Sequence, residues 1–82
     1  MNQDDLILDY LKFLLKGLVD EPDNVEITRK VDEMGVLYTV VVAQVDRGQI
    51  IGKGGAMANT IREIIRTVGI RNKETAKVKF DF

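Results

Sequence analysis

The turn GQIIGKGG at residues 48–55 constrains the fold more than any other stretch, because three of the seven glycines in the chain fall within residues 52–55. Glycine loses more backbone freedom on folding than any other residue, and it adopts conformations that other residues rarely reach. An apolar, β-branched run precedes this turn at residues 36–43, and an amphipathic run follows it. The pattern predicts a strand, a sharp break and then a helix.

Length and composition limit the class of protein. The chain has 82 residues, 45% of them hydrophobic, which suits a single compact domain over residues 1–82. Cysteine is absent, which excludes disulfides and thiolate metal sites. The acidic start is unlike a secretory signal, and the longest uncharged stretch, residues 35–45, is shorter than the ~20 residues that span a bilayer. We therefore expect a soluble, cytoplasmic protein without membrane contact.

Charge is distributed unevenly along the chain. Residues 1–34 carry nine acidic and four basic side chains, whereas residues 35–82 carry four acidic and eight basic ones, so the two parts have net charges of −5 and +4. Such asymmetry is a hint that one surface faces a polyanion. Solvated lysines are the simpler explanation for Lys77 and Lys79.

Hydrophobic periodicity predicts the first three elements. Residues 4–19 show helical spacing and end before Pro22, which cannot continue a helix. The alternation in residues 25–32 and the apolar run in residues 36–43 predict a hairpin whose second strand is central in the sheet. Residues 46–51 have room for one or two helical turns, with Asp46 as N-cap.

The pattern after the glycine turn predicts a long helix and a last strand. Residues 57–68 repeat apolar side chains at helical spacing, with Asn59, Arg62 and Arg66 on the opposite side, and Gly69 ends the helix. Residues 75–82 alternate as an edge strand does. All five aromatic side chains fall inside predicted elements and are expected in the core: Tyr10, Phe13, Tyr38, Phe80 and Phe82.

The order of these elements predicts the fold class. A connection through helices makes the last two strands parallel, and the hairpin makes the first two antiparallel. We expect an α+β domain of order α-β-β-α-α-β, with a three-stranded mixed sheet and the helices packed on one face.

Three chemistries are compatible with a glycine turn before a helix, and two of them fail. The phosphate-binding P-loop requires four residues between its first glycine and its Gly-Lys pair, and here only three separate Gly48 from Gly52. The dinucleotide fingerprint requires glycine at position 57, which is Met57. Histidine, cysteine and serine are all absent, so nucleophile–base catalysis is excluded, and we expect no enzyme, cofactor or metal.

The third chemistry is a GxxG clamp formed by Gly52, Lys53, Gly54 and Gly55 between two helices. This loop marks the KH module, which grips about four nucleotides of backbone. Small side chains let a sugar-phosphate chain approach closely, the unpaired N–H groups of the next helix attract anions, and Lys53 adds a cation. The placement of the loop between Ile50-Ile51 and the helix containing Ile61 makes the signal fairly specific.

The chain resembles the small bacterial single-KH-domain proteins of the KhpA type over its whole length. The matching stretches are GQIIGKGG, TIREII at residues 60–65 and LILDYLKFLLKGLVDEPDNVEI at residues 6–27. The resemblance implies the type II KH arrangement and a cytoplasmic RNA-binding protein that acts as an RNA chaperone or post-transcriptional regulator. It also implies a homodimer, a heteromer with a KhpB-type KH protein, and in some bacteria an influence on cell-wall growth and cell length.

The resemblance assigns the clamp to residues 52–55 and a groove role to Ile51, which also suits the core. The family commonly has polar or basic residues after the clamp, whereas this chain has AMAN at residues 56–59. We therefore expect weak binding of single-stranded RNA that also depends on other side chains: Arg47, Asn59, Arg62, Arg71 and Lys73. For Arg66 the simpler role of a solvated side chain is preferred.

An assembly module is the alternative function. The wide apolar face of the first helix, or an apolar open face of the sheet, would then join a second subunit, with RNA binding secondary or lost. An RNA of about 4–6 nucleotides that shifts the amide signals of residues 52–55 would distinguish the two functions.

Overall fold

The computed structural model describes the backbone of residues 3–82 and the side chains of residues 6–82. Three α-helices and three strands follow one another in the predicted order, joined in part by 3-10 turns. Their bounds are α1 Gln3–Leu18, β1 Glu26–Asp32, β2 Gly35–Val41, α2 Arg47–Ile51, α3 Ala56–Arg71 and β3 Ala76–Phe80.

The sheet has the predicted mixed topology. β2 lies in the centre, antiparallel to β1 and parallel to β3. In the register, Tyr38 pairs with Arg29 on one side and with Val78 on the other. β3 is therefore an edge strand, and its outer backbone groups face away from β2.

The core lies between the helices and one face of the sheet. The side chains of β2 alternate, and Val36, Tyr38 and Val40 point into the core. Ile61 and Ile65 of α3 are fully buried, as helical spacing predicted. Burial of a large aliphatic side chain contributes about 1.5–3 kcal/mol. The fully buried α1 side chains that meet this layer are Ile7, Leu11 and Leu15.

The prediction that every aromatic side chain is in the core is wrong for three of the five. Tyr38 and Phe80 are buried, but Phe13 is 78% exposed, Tyr10 is 48% exposed, and Phe82 lies beyond the end of β3 at 36%. A helix in a two-layer domain is covered on one side only, and in α1 that side is occupied by leucine and isoleucine. Tyr10 and Phe13 therefore widen the apolar stripe onto the surface.

The sheet face opposite the helices is mostly polar and charged rather than apolar as the assembly alternative supposed. Alternation puts Leu37, Thr39 and Val41 of β2 on this face. Their neighbours in the register are lysine or threonine at most positions: Thr28, Lys30, Lys77 and Lys79.

Candidate nucleic-acid interface

The glycine turn redirects the chain between α2 and α3. Gly52 ends α2, with its N–H bonded to the carbonyl of Gly48 at 2.9 Å. Three glycines then adopt positive φ: Gly52 at 75°, Gly54 at 61° and Gly55 at 81°. This region of backbone conformation costs L-residues free energy, which explains the concentration of glycine noted in the sequence.

The three glycines have different surroundings. A Cβ on Gly52 would lie 2.8 Å from the backbone nitrogen and the Cβ of Met57, so this glycine lets α3 begin directly beside the end of α2. A Cβ on Gly54 would meet nothing within 4 Å, and the nearest atom to one on Gly55 is the amide nitrogen of Asn59 at 3.9 Å. The backbone at Gly54 is therefore open to an approaching ligand.

The start of α3 faces the same open side. No side chain caps this helix, whose first turn is Ala56 and the residues after it. Uncapped N–H groups and the helix dipole give this end a partial positive charge. Lys53 is exposed in the turn and adds a full charge. Together they form a small cationic surface made mainly of backbone.

Apolar side chains pack between the glycine turn and the core. Ile50 is fully buried, whereas Ile51 and Met57 are half-buried and pack against the core. Part of the Ile51 side chain therefore packs against the core and part stays accessible. This position is compatible with both roles predicted for it, in the core and in the RNA-binding groove.

Arg62 and Asn59 lie along α3 after the turn, and both are exposed. Arg62 donates from Nη1 to Oδ1 of Asn59 at 2.9 Å and from Nε to the carbonyl of Val78 at 3.3 Å. Its guanidinium also lies 5.2 Å from the centre of the Phe80 ring. These contacts hold the exposed arginine along the free edge of β3.

Arg47 is supported in a similar way at the start of α2. Its guanidinium lies 5.8 Å from the centre of the Phe82 ring, which meets Phe80 edge-on at 5.9 Å. Two aromatic rings thus connect Arg47 with Arg62. These roles were not predictable from the sequence, because Phe80 and Phe82 both fit core positions of the predicted last strand.

A shallow hollow of about 360 Å³ lies between α3 and the free edge of β3. Cations outnumber anions along it, and the Arg66 guanidinium is paired with Glu63 at 2.9 Å. The residues that line it are Arg62, Glu63, Arg66, Ala76, Lys77 and Val78.

The structure separates Arg71 and Lys73 from the turn. Both are exposed at the opposite end of α3, about 22 Å away at 1.5 Å per residue. Lys73 has a φ of 60° and donates its N–H to Ile70 at 3.0 Å, so it forms part of the turn that ends the helix. A ligand held at the glycine turn would have to extend along the whole of α3 to reach these two side chains.

Asp46 does not cap α2 with its side chain as predicted. Its carboxylate is fully buried and accepts the backbone N–H groups of Asp20 at 2.8 Å and Glu21 at 3.1 Å. The two N–H groups follow the end of α1, and each donates to a different oxygen of the carboxylate in a charge-assisted hydrogen bond. Asp46 therefore fixes the base of α2 to the end of α1.

A separate apolar groove lies on the other side of α3, where it meets α1. Its volume is about 310 Å³, and the exposed ring of Phe13 forms part of its wall. The remaining lining residues are Leu14, Gly17, Leu18, Met57, Thr60, Ile61 and Ile64. Ile64, which the helical pattern assigned to the core face, is 39% exposed here.

Two features of other functional classes are absent from the part of the chain that the structure describes. No helix there combines the length and the apolar character needed to cross a bilayer. Nor does any group of three acidic side chains there come close enough to hold a metal ion.

Comparison with known proteins identifies the family. The family model described as KhpA/KhpB, KH domain matches residues 8–81. An RNA-binding protein KhpA from Chlamydia caviae is 38% identical over 64 residues, which cover 78% of this chain and 82% of the relative. Proteins of the same name from Clostridium acetobutylicum (32% identity, 84% and 92% covered) and Listeria monocytogenes (33%, 80% and 87%) are similar. The α-β-β-α-α-β fold, the GxxG turn and these matches agree, and the chain belongs to the KhpA/KhpB family of KH domains.

Proposed function

We propose that this protein binds single-stranded RNA non-covalently, with phosphates against the backbone of residues 52–55 and the first turn of α3. The observation that carries the proposal is the open space around Gly54 beside an uncapped helix start. KH modules grip about four nucleotides with such a loop. The names of the relatives, which are RNA-binding proteins, support the same function.

The proposed site combines backbone with a few side chains. Lys53 neutralises a phosphate, and Ile51 supplies the apolar floor of the groove. Arg62 and Asn59 contact the RNA strand as it continues along α3. There the free edge of β3 presents backbone N–H and C=O groups that can pair with the bases. Arg47 adds charge beside the turn. Arg71 and Lys73 lie at the far end of α3, so they act only on a strand that is longer than the clamp holds.

In the cell, this binding suits an RNA chaperone or post-transcriptional regulator in the cytoplasm, with the whole chain acting as one KH domain. Its role is to hold RNA rather than to transform it. A KhpB-type KH protein is the proposed heteromeric partner.

The decisive experiment replaces Lys53 and Gly54 together by aspartate. Both positions are exposed, and a Cβ at position 54 would meet no protein atom within 4 Å, so the core is untouched. Two carboxylates would stand where phosphates are expected, each repelling a phosphate by about 1 kcal/mol at ~4 Å in water. Aspartate tolerates positive φ better than most residues, so the added strain is about 1 kcal/mol.

Fluorescence anisotropy with a short unstructured RNA measures the effect, and thermal unfolding checks the fold. The matched control is Lys12→Asp with Lys16→Gln, which changes net charge by the same three units at exposed positions of α1, outside the turn. We expect binding to be lost in the turn variant and kept in the control. A folded turn variant that binds RNA as tightly as the parent contradicts the clamp.

Assembly is the second candidate function, and the groove between α1 and α3 favours it. The exposed ring of Phe13 and the apolar groove beside it form one apolar patch on the surface. Contiguous apolar patches on soluble proteins mark interaction sites. We propose that a second copy of the chain, or the KhpB-type partner, covers this groove. RNA binding at the turn is compatible with it, since the groove lies on the other side of α3.

Sedimentation of Phe13→Asp tests the assembly proposal. The expected result is dissociation of a dimeric parent without loss of monomer stability, because the replaced ring is mostly in solvent. Val45→Asp is the control, since Val45 is also an exposed apolar residue, 72% exposed, but does not line the groove. A parent that sediments as a monomer at high concentration excludes the homodimer.

A further inference from the structure

We propose that Phe82 is a base-stacking residue of the RNA site, with one face of a nucleobase on its ring and the other face against the guanidinium of Arg47. This contact rests on the proposed function of the glycine turn and adds a base to a site made mainly of backbone and cations. The ligand is one unstacked base of single-stranded RNA. Its identity matters little, because every base has a π-face.

The ring of Phe82 is both held in place and accessible. Phe80 is buried and meets Phe82 edge-on at 5.9 Å, whereas Phe82 itself lies beyond the end of β3 and is 36% exposed. The guanidinium carbon of Arg47 lies over the Phe82 ring, 5.8 Å from its centre. Arg47 is an exposed residue, so the ring face that it covers opens to solvent when this side chain moves.

The spacing of these two planar groups is close to that of a base sandwich. A base between two flat groups needs about 7 Å, which is twice the contact distance of about 3.5 Å between carbon atoms. The guanidinium of Arg47 therefore has to retreat from Phe82 by only about 1 Å. Unstacked RNA bases stack on aromatic rings and also on arginine guanidinium planes, so both sides of the sandwich suit the same ligand.

The stacking position lies within reach of a strand held at the glycine turn. Arg47 precedes Gly52 by five residues of α2, which is about 7.5 Å along the helix axis. A KH loop grips about four nucleotides, and these cover at least about 10 Å even at the ~3.4 Å spacing of a stacked strand. The phosphates of one strand thus contact the turn while a neighbouring base reaches Phe82.

The charges around the ring are compatible with RNA. Neither Arg47 nor Arg62 forms an ion pair with a carboxylate among the residues that the structure describes. The carboxylate of Asp46 is buried and accepts two backbone N–H groups. Asp81 continues the ladder of β3, and alternation puts its side chain on the open sheet face, away from the rings. The two carboxylates nearest in sequence therefore do not face the proposed base.

The test combines a change in the protein with changes in the RNA. Phe82→Leu keeps an apolar side chain but removes the flat ring. The ligand is an unstructured RNA of about six nucleotides, together with versions in which one base at a time is replaced by an abasic site. Tyr10→Leu is the control, because Tyr10 is also an exposed aromatic residue, at 48%, but lies on α1 outside the turn. Anisotropy gives the affinities, and thermal unfolding checks the fold.

We expect Phe82→Leu to bind the intact RNA at least about fivefold more weakly than the parent does. The parent should lose a similar factor at one abasic position, and Phe82→Leu should lose nothing further there, because the stacked pair is already broken. Tyr10→Leu should match the parent on every RNA. Parent-like binding of the intact RNA by Phe82→Leu overturns the proposal. So does an equal further loss at every abasic position, which would indicate that Phe82 only supports the fold.

A tryptophan at the same position gives an independent readout. The chain contains no tryptophan, so Phe82→Trp places a single indole fluorophore at the proposed site. Its affinity for the intact RNA should equal or exceed that of the parent, and its emission should fall as the base stacks. The RNA that is abasic at the coupled position should leave the emission unchanged. Equal emission changes with both RNAs contradict the stacking.

Failure of the clamp would look different. If Lys53→Asp with Gly54→Asp binds the intact RNA like the parent, the proposed function of the turn is wrong, whatever Phe82→Leu does. If that variant loses binding and Phe82→Leu does not, only the stacking role is wrong.

Discussion

Asp46 links two parts of the chain that are far apart in sequence, because its carboxylate accepts N–H groups 25 and 26 residues away. Replacement by alanine leaves both donors unpaired beside the core, and each unpaired buried group costs about 1–3 kcal/mol. We expect Asp46→Ala to lower the free energy of unfolding by roughly 2–5 kcal/mol, measured by urea denaturation. Asp46→Asn keeps one acceptor and should lose less.

Asp32→Ala is the matched control for that prediction. Asp32 also accepts a backbone N–H, from Met34 at 2.7 Å, but its hydrogen bond is exposed to water. Water replaces an exposed acceptor, so the expected loss is about 1 kcal/mol or less. Equal losses in the two alanine variants would contradict the linking role of Asp46.

The role of single side chains was predictable only where a local pattern determines it. Ile61 and Ile65 are buried as helical spacing predicts, because the stripe of α3 faces the sheet. Asp46 precedes a short helix and fits the N-cap pattern, but its actual partners come from a distant segment that no local rule identifies. Phe13 is exposed because burial depends on how many elements cover a helix, which sequence spacing does not contain.

The turn between α2 and α3 provides the prediction at the scale of elements. Gly52 and Gly54 both have positive φ, but only Gly52 has a neighbour that a Cβ would strike, the backbone nitrogen of Met57 at 2.8 Å. Gly54→Ala should cost about 1 kcal/mol of stability from backbone strain alone. Gly52→Ala should cost at least twice as much, because α3 must also shift. Thermal unfolding of the two variants measures the difference.

An equal loss in the two variants would mean that strain, rather than contact between the helices, sets the requirement for glycine at position 52. RNA affinity adds a second readout. Gly54→Ala puts a methyl group in open space where the backbone of the ligand is proposed to lie. We therefore expect it to weaken RNA binding while leaving the helices in place.

The secondary-structure elements and their order were more predictable from the sequence than the contacts of single side chains. The hairpin, the parallel crossover, the short helix and the long helix occur as predicted, and most ends differ by only one or two residues. Gly69 does not end α3 as predicted: the helix continues to Arg71, and the missing side chain at Gly69 lets Ala76 of β3 pack closely against it. Periodicity and glycine position determine such features locally. The contacts of Arg47 with Phe82 and of Arg62 with Phe80 were not predictable, because they require the end of β3 to lie beside the start of α2 and the second turn of α3.

At the scale of the whole molecule, the net charge of −1 conceals an uneven distribution of charge along the chain. Eight of the twelve basic residues follow residue 34 in the sequence. In the fold these residues lie at the turn, along the hollow beside β3 and on the open sheet face. Lys30, from the acidic part of the sequence, also lies on the open sheet face. Binding should therefore be electrostatic but modest, since few cations surround the turn itself.

Salt dependence tests this prediction. A short RNA held by Lys53, the helix start and nearby arginines would engage about two to four phosphates, which gives a slope of log K against log salt of roughly −1.5 to −3 at ~0.7 per phosphate. Titrations of a short RNA at several salt concentrations measure the slope, and Lys53→Gln should make it shallower by about 0.7. Lys12→Gln makes the same substitution at an exposed position of α1 outside the turn and should leave the slope unchanged. If the affinity of the parent does not change with salt, the basic residues do not contact phosphate. The hollow beside β3 would then have to bind RNA through the bases alone.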